Sequence, residues 1–209
     1  MKRKAEQIGK HRVANNDIML GIDELMQGKQ ADIFYCDPPW GQGNIGYWQT
    51  INKRHTGEPT KDIKYEDFIN QIFAVASKYA KNIILIEYGI RWRKDIIDMG
   101  KKYGLIHIGI ADLQYRSGSR FLPSDLHVFA KTKVNIPQIY FDNLKNTSGM
   151  ATLENAVLPL AVKGGIILDP CCGMGYTARA GVKAGMTFYG NELNGKRLQK
   201  TIDFLKSKK

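Results

Sequence analysis

Ala31-Asp32-Ile33-Phe34-Tyr35-Cys36-Asp37-Pro38-Pro39-Trp40 is the stretch on which the fold turns. Its first six residues form an apolar run of strand length, broken only by Asp32, as expected of a strand buried on both faces. Pro38 and Pro39 cannot extend that strand, because each lacks the N–H a ladder needs. The strand therefore ends near Cys36, and an acid, a rigid turn and a large aromatic follow its carboxyl end. In open α/β sheets that end is where ligands bind.

Residues 41–64 carry Gly41, Gly43, Gly46 and Gly57, with Tyr47, Trp48, Lys53, Arg54 and His55 between them. This punctuation reads as a long mobile loop. Phe68, Ile69, Ile72, Phe73, Ala76 and Tyr79 then recur at helical spacing and predict a helix over 66–80. A buried strand over 82–88, a helix over 90–103 and strands over 105–110 and 126–130 follow, the last after a polar, arginine-bearing connection. A helix over 151–163, kinked or restarted at Pro159, leads into a strand over 165–168. A helix over 176–185, a strand over 186–191 and a helix over 195–207 complete the pattern. Upstream, residues 1–14 read as a flexible basic arm, and 18–26 as a short helix weakened by Gly21. Strands alternating with helices predict an α/β fold, a mostly parallel sheet with helices on both faces, in one domain spanning 1–209.

The chain has 209 residues, with 31 Lys and Arg against 20 Asp and Glu, a formal charge of +11. That surplus favours polyanionic partners, nucleic acid before an anionic membrane. No apolar stretch reaches the roughly 20 residues of a membrane span, and no apolar signal core follows the basic start, so neither membrane insertion nor secretion is expected. Three cysteines, two of them adjacent, make no disulfide framework and fit a reducing cytoplasm. Cys36, Cys171 and Cys172 lack the paired spacing and histidine partners of a zinc site, so no metal is expected. His107 and His127 fall within strands and read as structural.

A second motif, Asp169-Pro170-Cys171-Cys172-Gly173-Met174-Gly175, lies between a predicted strand and helix. Gly173 and Gly175 permit positive φ and a close backbone approach. The next strand ends in Asn191-Glu192, an acid about twenty residues past a glycine turn, where a ribose diol is gripped. With Ala178 in the third place, a dinucleotide fingerprint nearly fits. Asp169, however, repels a pyrophosphate and welcomes a cation, and a nicotinamide enzyme leaves the Asp37 turn unexplained.

Together the two motifs resemble those of the amino-methyltransferases, which use S-adenosylmethionine to modify exocyclic amines of nucleic-acid bases. The similarity runs roughly from Asn16 to the C-terminus. It implies a Rossmann-like methyltransferase fold in circularly permuted, β-type order, with the catalytic motif ahead of the cofactor motif. Asp37, Pro38, Pro39 and Trp40 would then be catalytic. The cofactor would be held by Asp17 and Ile18 at its adenine, by Asn191 and Glu192 at its ribose, and by Asp37, Asp169, Pro170, Cys171, Gly173 and Gly175 around its methionine end. Thr147 and Ser148 would meet the methionine carboxylate.

Asp rather than Ser at position 37 leans toward the adenine over the cytosine amine, and DNA is the expected target. Trp at position 40 is also the form in messenger-RNA adenine methyltransferases, so RNA is an alternative target, and a catalytically silent nucleic-acid-binding subunit is a third reading. A silent subunit would usually have lost Asp37 or the glycine turn, and this chain keeps both. Tyr115, Arg116 and Arg120, with Lys53 and Arg54, are the candidate nucleic-acid contacts, though an ordinary solvated basic face explains them as well. No long target-recognition insertion is present, which leaves target choice to a second copy, a partner subunit or relaxed specificity. Trp92 reads as helix packing.

Overall fold

The computed structural model describes residues 5–57 and 61–208. Its strands are β1 (Glu6–Ile8), β2 (His11–Asn15), β3 (Ala31–Cys36), β4 (Ala80–Gly89), β5 (Ile106–Ser117), β6 (Arg120–Ala130), β7 (Ile166–Asp169) and β8 (Thr187–Glu192). They form one sheet in the order β1-β2-β8-β7-β3-β4-β6-β5. The central run from β2 to β4 is parallel, and antiparallel pairs close both edges. β3 thus sits between β7 and β4, with Ile33 opposite both Ile167 and Ile83. Its near-continuous apolar run follows from burial on both faces.

The helices are α1 (Asp23–Met26), α2 (Gly41–Thr56), α3 (Tyr65–Tyr79), α4 (Arg93–Lys102), α5 (Gln138–Leu144), α6 (Met150–Val157), α7 (Tyr176–Lys183) and α8 (Gly195–Lys206). The period-two alternation of the strands sorts the core into two layers. Phe34, Cys36, Ile84 and Ile86 point toward Ile45 of α2, Phe68, Ile72 and Phe73 of α3, and Ile96 of α4. Ile33, Tyr35, Leu85 and Ile167 point toward Tyr140 of α5, Leu153 of α6, Ala178 of α7, and Leu198 and Ile202 of α8. Each fully buried side chain of this size contributes about 1.5–3 kcal/mol, so both layers hold the sheet. No helix among the described residues is long and apolar enough to cross a membrane.

Three expectations are corrected. Within the arm expected over 1–14, Glu6–Ile8 form β1 and His11 opens β2, which runs to Asn15, with His11 accepting a 3.0 Å hydrogen bond from the Phe188 amide through Nδ1; residues 1–4 lie outside the described residues. Most of the expected mobile loop is the sixteen-residue helix α2, and 58–60 lie outside the described residues. The arginine-bearing connection is no loop either: β5 and β6 pair continuously from Gly109 and Val128 to Ser117 and Arg120. In addition, α5 was not foreseen.

The glycines of α2 conceal it. Gly41 has φ +68°, and a Cβ there would fall 2.5 Å from the Trp92 ring, so the turn from Trp40 into the helix requires glycine. Its amide donates to the Tyr88 hydroxyl at 3.2 Å, and that hydroxyl donates to the Pro39 carbonyl at 3.2 Å. Trp92 packs over this turn, against Tyr88, as expected of a packing residue.

Candidate active site

Above the carboxyl ends of β3, β4, β7 and β8 lies a cleft of about 780 Å³. Asp37, Pro38, Pro39 and Trp40 line it from β3, Glu87 from β4, and Pro170 and Cys171 from the turn after β7. Asn191 and Glu192 line it from β8, and Asn16, Asp17 and Ile18 from the segment after β2. Helix α2 supplies Trp48 and Asn52, α8 supplies Arg197, and the β5–β6 hairpin supplies Tyr115 and Arg116. The two sequence motifs therefore face one space.

Asp37 lines the cleft and its side of the turn is open to the cleft solvent. Trp40 Nε1 donates to its Oδ1 at 3.2 Å. The Trp40 ring itself meets Tyr115 edge to face, with centroids 4.7 Å apart, and lies 6.1 Å from Tyr88. Parallel pairing of Cys36 with Ile86 sets Asp37 level with Glu87 on the neighbouring strand. Glu87 Oε2 accepts a 2.7 Å hydrogen bond from the buried Tyr35 hydroxyl. Desolvation raises both carboxyls above their usual range. In Asp37 this is opposed by the Trp40 hydrogen bond and the Arg197 charge, whereas in Glu87 the charge of Asp37 adds to it. Burial and the nearness of the two carboxyls favour a proton shared by the pair, with Glu87 raised further than Asp37.

Of the second motif, Pro170 and Cys171 line the cleft. Asp169 is buried and does not face the cleft; it accepts from the Cys171 amide at 3.0 Å and the Thr177 hydroxyl at 2.6 Å. Burial pushes its carboxyl up to about 7. Gly173 and Gly175 have φ of +53° and +80°, and also lie off the cleft lining. What approaches them is α8: Cβ atoms there would fall 2.5 Å from Arg197 and 2.6 Å from Thr201. The motif thus shapes the turn and seats α8, while Pro170 and Cys171 reach the cleft.

Glu192 ties the turn to α8. Its Oε2 accepts from the Gly173 amide and its Oε1 from the Asn194 amide, each at 2.8 Å. Each oxygen keeps a second acceptor site, and Glu192 lines the cleft. Burial raises this carboxyl, against the pull of the Asn194 amide, the Arg197 charge and the Gly173 amide. Asn191 Nδ2 donates to the carbonyls of Asn16 and Pro170, at 3.0 and 3.1 Å, and so joins three of the walls. Side-chain atoms of Asn16, Asn52, Asn191 and Arg197 are buried there without a hydrogen-bond partner among the described residues. Buried polar atoms are costly to leave unpaired, and their concentration around one cleft marks a place built for a polar ligand.

The remaining candidates are placed as follows. Asp17 caps the turn 18–20 by accepting from the Met19 amide at 3.0 Å, and lines the cleft with Ile18. Thr147 and Ser148 do not line it; the Thr147 hydroxyl donates to the Leu144 carbonyl at 2.7 Å and lies 3.0 Å from Thr152 Oγ1. Tyr115 and Arg116 are at the mouth, and Arg120 stands on the exposed far strand of the same hairpin, beside Phe121. Lys53 and Arg54 are exposed on the last turn of α2. No group of three or more His, Cys, Asp or Glu among the described residues is placed to hold a metal ion.

Sequence reading passed over Glu87, Trp48 and Arg197. An acid inside the apolar run 82–88 was a signal for the first. The other two had none, because each depends on α2 and α8 meeting across the cleft.

No family profile and no curated protein sequence matches the chain. Its fold is similar to that of M1.HpyAVI, with a TM-score of 0.66 and 16% identity over 92% of this chain and 97% of that one. It is similar also to TTHA0409 from Thermus thermophilus, with a TM-score of 0.65 and 15% identity over 93% and 94%. A cytosine-N4-specific PvuII DNA methyltransferase matches with a TM-score of 0.65 and 11% identity over 99% and 95%. M1.HpyAVI and TTHA0409 have also been solved with S-adenosylmethionine. At these identities the likeness is one of fold: the chain has the α/β architecture expected from its sequence, shared over nearly the full length of these proteins.

Proposed function

We propose that the chain is an S-adenosylmethionine-dependent methyltransferase acting on the exocyclic amine of a nucleobase, with adenine N6 in DNA as its target. The observation that carries this reading is that Asp37-Pro38-Pro39-Trp40 and Glu192 line a single cleft. The neighbours solved with S-adenosylmethionine, and the PvuII enzyme that methylates a base amine, support it through the shared fold. The motif order along the chain fits the permuted arrangement.

The cleft suits this cofactor. Its acidic groups Asp37 and Glu192 favour a ligand with cationic centres, and Arg197 offers a partner for a carboxylate. Glu192 would take the ribose hydroxyls on its free acceptor sites, and Asp17 and Ile18 would border the adenine. When bound, the cofactor supplies a methyl group activated by attachment to a sulfonium.

A base amine is a weak nucleophile because its lone pair is delocalised into the ring. Asp37 and the Pro38 carbonyl accept its two hydrogens and turn the lone pair toward the methyl carbon; positioning of this kind lowers the barrier most. The bound cofactor would give its methyl group to this nitrogen, keeping the carbon–sulfur electron pair on sulfur. The proton then leaves the nitrogen through Asp37 to water. Trp40 stacks on the base, which must be flipped out or unpaired to enter. The exposed cations of the β5–β6 hairpin and of α2 contact phosphates.

The test is transfer from labelled S-adenosylmethionine to unmethylated DNA and to RNA, with nucleoside mass spectrometry of the products. N6-methyladenine in DNA supports the reading in full. N4-methylcytosine or methylated RNA keeps the chemistry and moves the target. Cofactor binding without any methylated base contradicts it in favour of a silent subunit.

A further inference from the structure

The Asp37 turn explains how an amine is held, but it leaves the second carboxyl of the cleft without a task. Glu87 lies at the carboxyl end of β4, level with Asp37 on β3, and adjacent strands run only about 4.8 Å apart. The Tyr35 hydroxyl fixes its Oε2 at 2.7 Å, and Oε1 has no partner among the described residues. Both carboxyls line the one cleft, and no cation is bonded to Glu87 among the described residues, so the pair favours a proton held between them. The groups that face Glu87 are Tyr35 and Asp37 from β3, with Arg116 of β5, Glu192 of β8 and Arg197 of α8 around the same cleft. Of the Asp37–Glu87 pair, Asp37 carries the hydrogen bond from Trp40 and the stabilising charge of Arg197.

Resting on the proposed function, we propose that Glu87 reads the target base, donating a hydrogen bond from its carboxyl O–H to the unprotonated ring nitrogen beside the amine. In adenine that atom is N1, and in cytosine N3. An amine gripped by Asp37 brings this edge toward the neighbouring strand, where Glu87 stands. Guanine, thymine and uracil carry an N–H on the corresponding edge and would set donor against donor. Selection would then come from the penalty of an unpaired donor in an enclosed site, which discriminates more sharply than shape. The Tyr35 hydrogen bond keeps the proton on the oxygen that faces the base.

The experiment compares DNA carrying adenine, 1-deazaadenine or 7-deazaadenine at the target position, with the wild-type chain, Glu87→Gln and Glu87→Ala. 1-Deazaadenine keeps the amine and replaces N1 by C–H. The wild type should lose roughly 30-fold in kcat/KM on 1-deazaadenine, the size of one hydrogen bond in an enclosed site, and little on 7-deazaadenine. Glu87→Gln, which still donates from its amide and accepts from Tyr35, should keep both activity and discrimination. Glu87→Ala should lose a similar factor on adenine and no longer distinguish the two bases, with cofactor binding intact as evidence of folding. A wild type indifferent to 1-deazaadenine, or a Glu87→Ala protein that still discriminates, overturns the inference alone. A wild type that methylates no nucleic acid overturns the proposed function and this inference together.

Discussion

The guanidinium of Arg197 lies 4.1 Å from the ring centre of Trp48, and this contact joins α8 to α2 across the cleft. Asn194 Nδ2 and His55 Nδ1, 2.9 Å apart, make a second link between the same elements. Helix α2 is thereby held over the side of the cleft that Glu192 borders. Trp48→Ala should remove a cation–π contact of about 1 kcal/mol and weaken cofactor binding roughly five-fold, with a smaller effect on kcat. Titration calorimetry checks this, and an unchanged Kd would show that α2 does not brace the cleft.

Glu192 is held by two backbone amides and is expected to hold the cofactor in turn. Glu192→Ala removes charge-assisted hydrogen bonds worth about 1.5–3 kcal/mol each and releases the Gly173 and Asn194 amides. Cofactor affinity should fall by at least ten-fold, and activity should recover in part at high cofactor concentration. A mutant with wild-type affinity but low kcat would reassign the residue.

Asp169 makes the fold itself sensitive to pH. Its carboxyl titrates near 4 when unfolded and at about 7 in the fold, because burial penalises the charge. The folded state therefore binds the proton more tightly. The stabilising contribution is complete below about pH 4 and is lost as pH rises through 7. Urea denaturation should give a lower midpoint at pH 8 than at pH 5, and Asp169→Asn, which has no proton to lose, should flatten that slope. A midpoint that rises with pH in the wild type alone would refute this.

Below the hairpin, Arg93 forms a bidentate pair with the fully buried Asp125, through Nε at 2.8 Å and Nη2 at 2.7 Å. Arg93→Ala leaves a buried carboxylate unpaired. The cost should be about 2–3 kcal/mol, below that of a fully buried pair because Arg93 is partly exposed. Asp125→Asn in the same background should restore part of the loss, as read from denaturation midpoints.

Most of the sheet was legible because its strands are apolar on both faces. The runs ending at Cys36, Tyr88 and Asp169 could be little else than buried parallel strands. What escaped notice owes its structure to neighbours. β1 and β2 are only three and five residues long, and edge pairing, not apolar patterning, makes them strands. Helix α2 has three glycines within its first six residues and buries only Gly41, Ile45 and Asn52, so no stripe announces it. At the site, the turn of Asp37 to Trp40 and the acid at Glu192 were visible as motifs at strand ends. The inward-facing part played by Asp169, and the seating of α8 against Gly173 and Gly175, depend on packing that no local pattern encodes.

The central claim is that the Asp37 turn acts on the amine while the Glu192 side of the cleft holds the cofactor. The most direct test measures S-adenosylmethionine binding and methyl transfer on one preparation of Asp37→Asn. Binding should stay within a few-fold of wild type, while transfer to adenine-containing DNA falls by at least 100-fold, as when a preorganised polar partner of the reacting group is lost. Transfer at the wild-type rate would contradict the account.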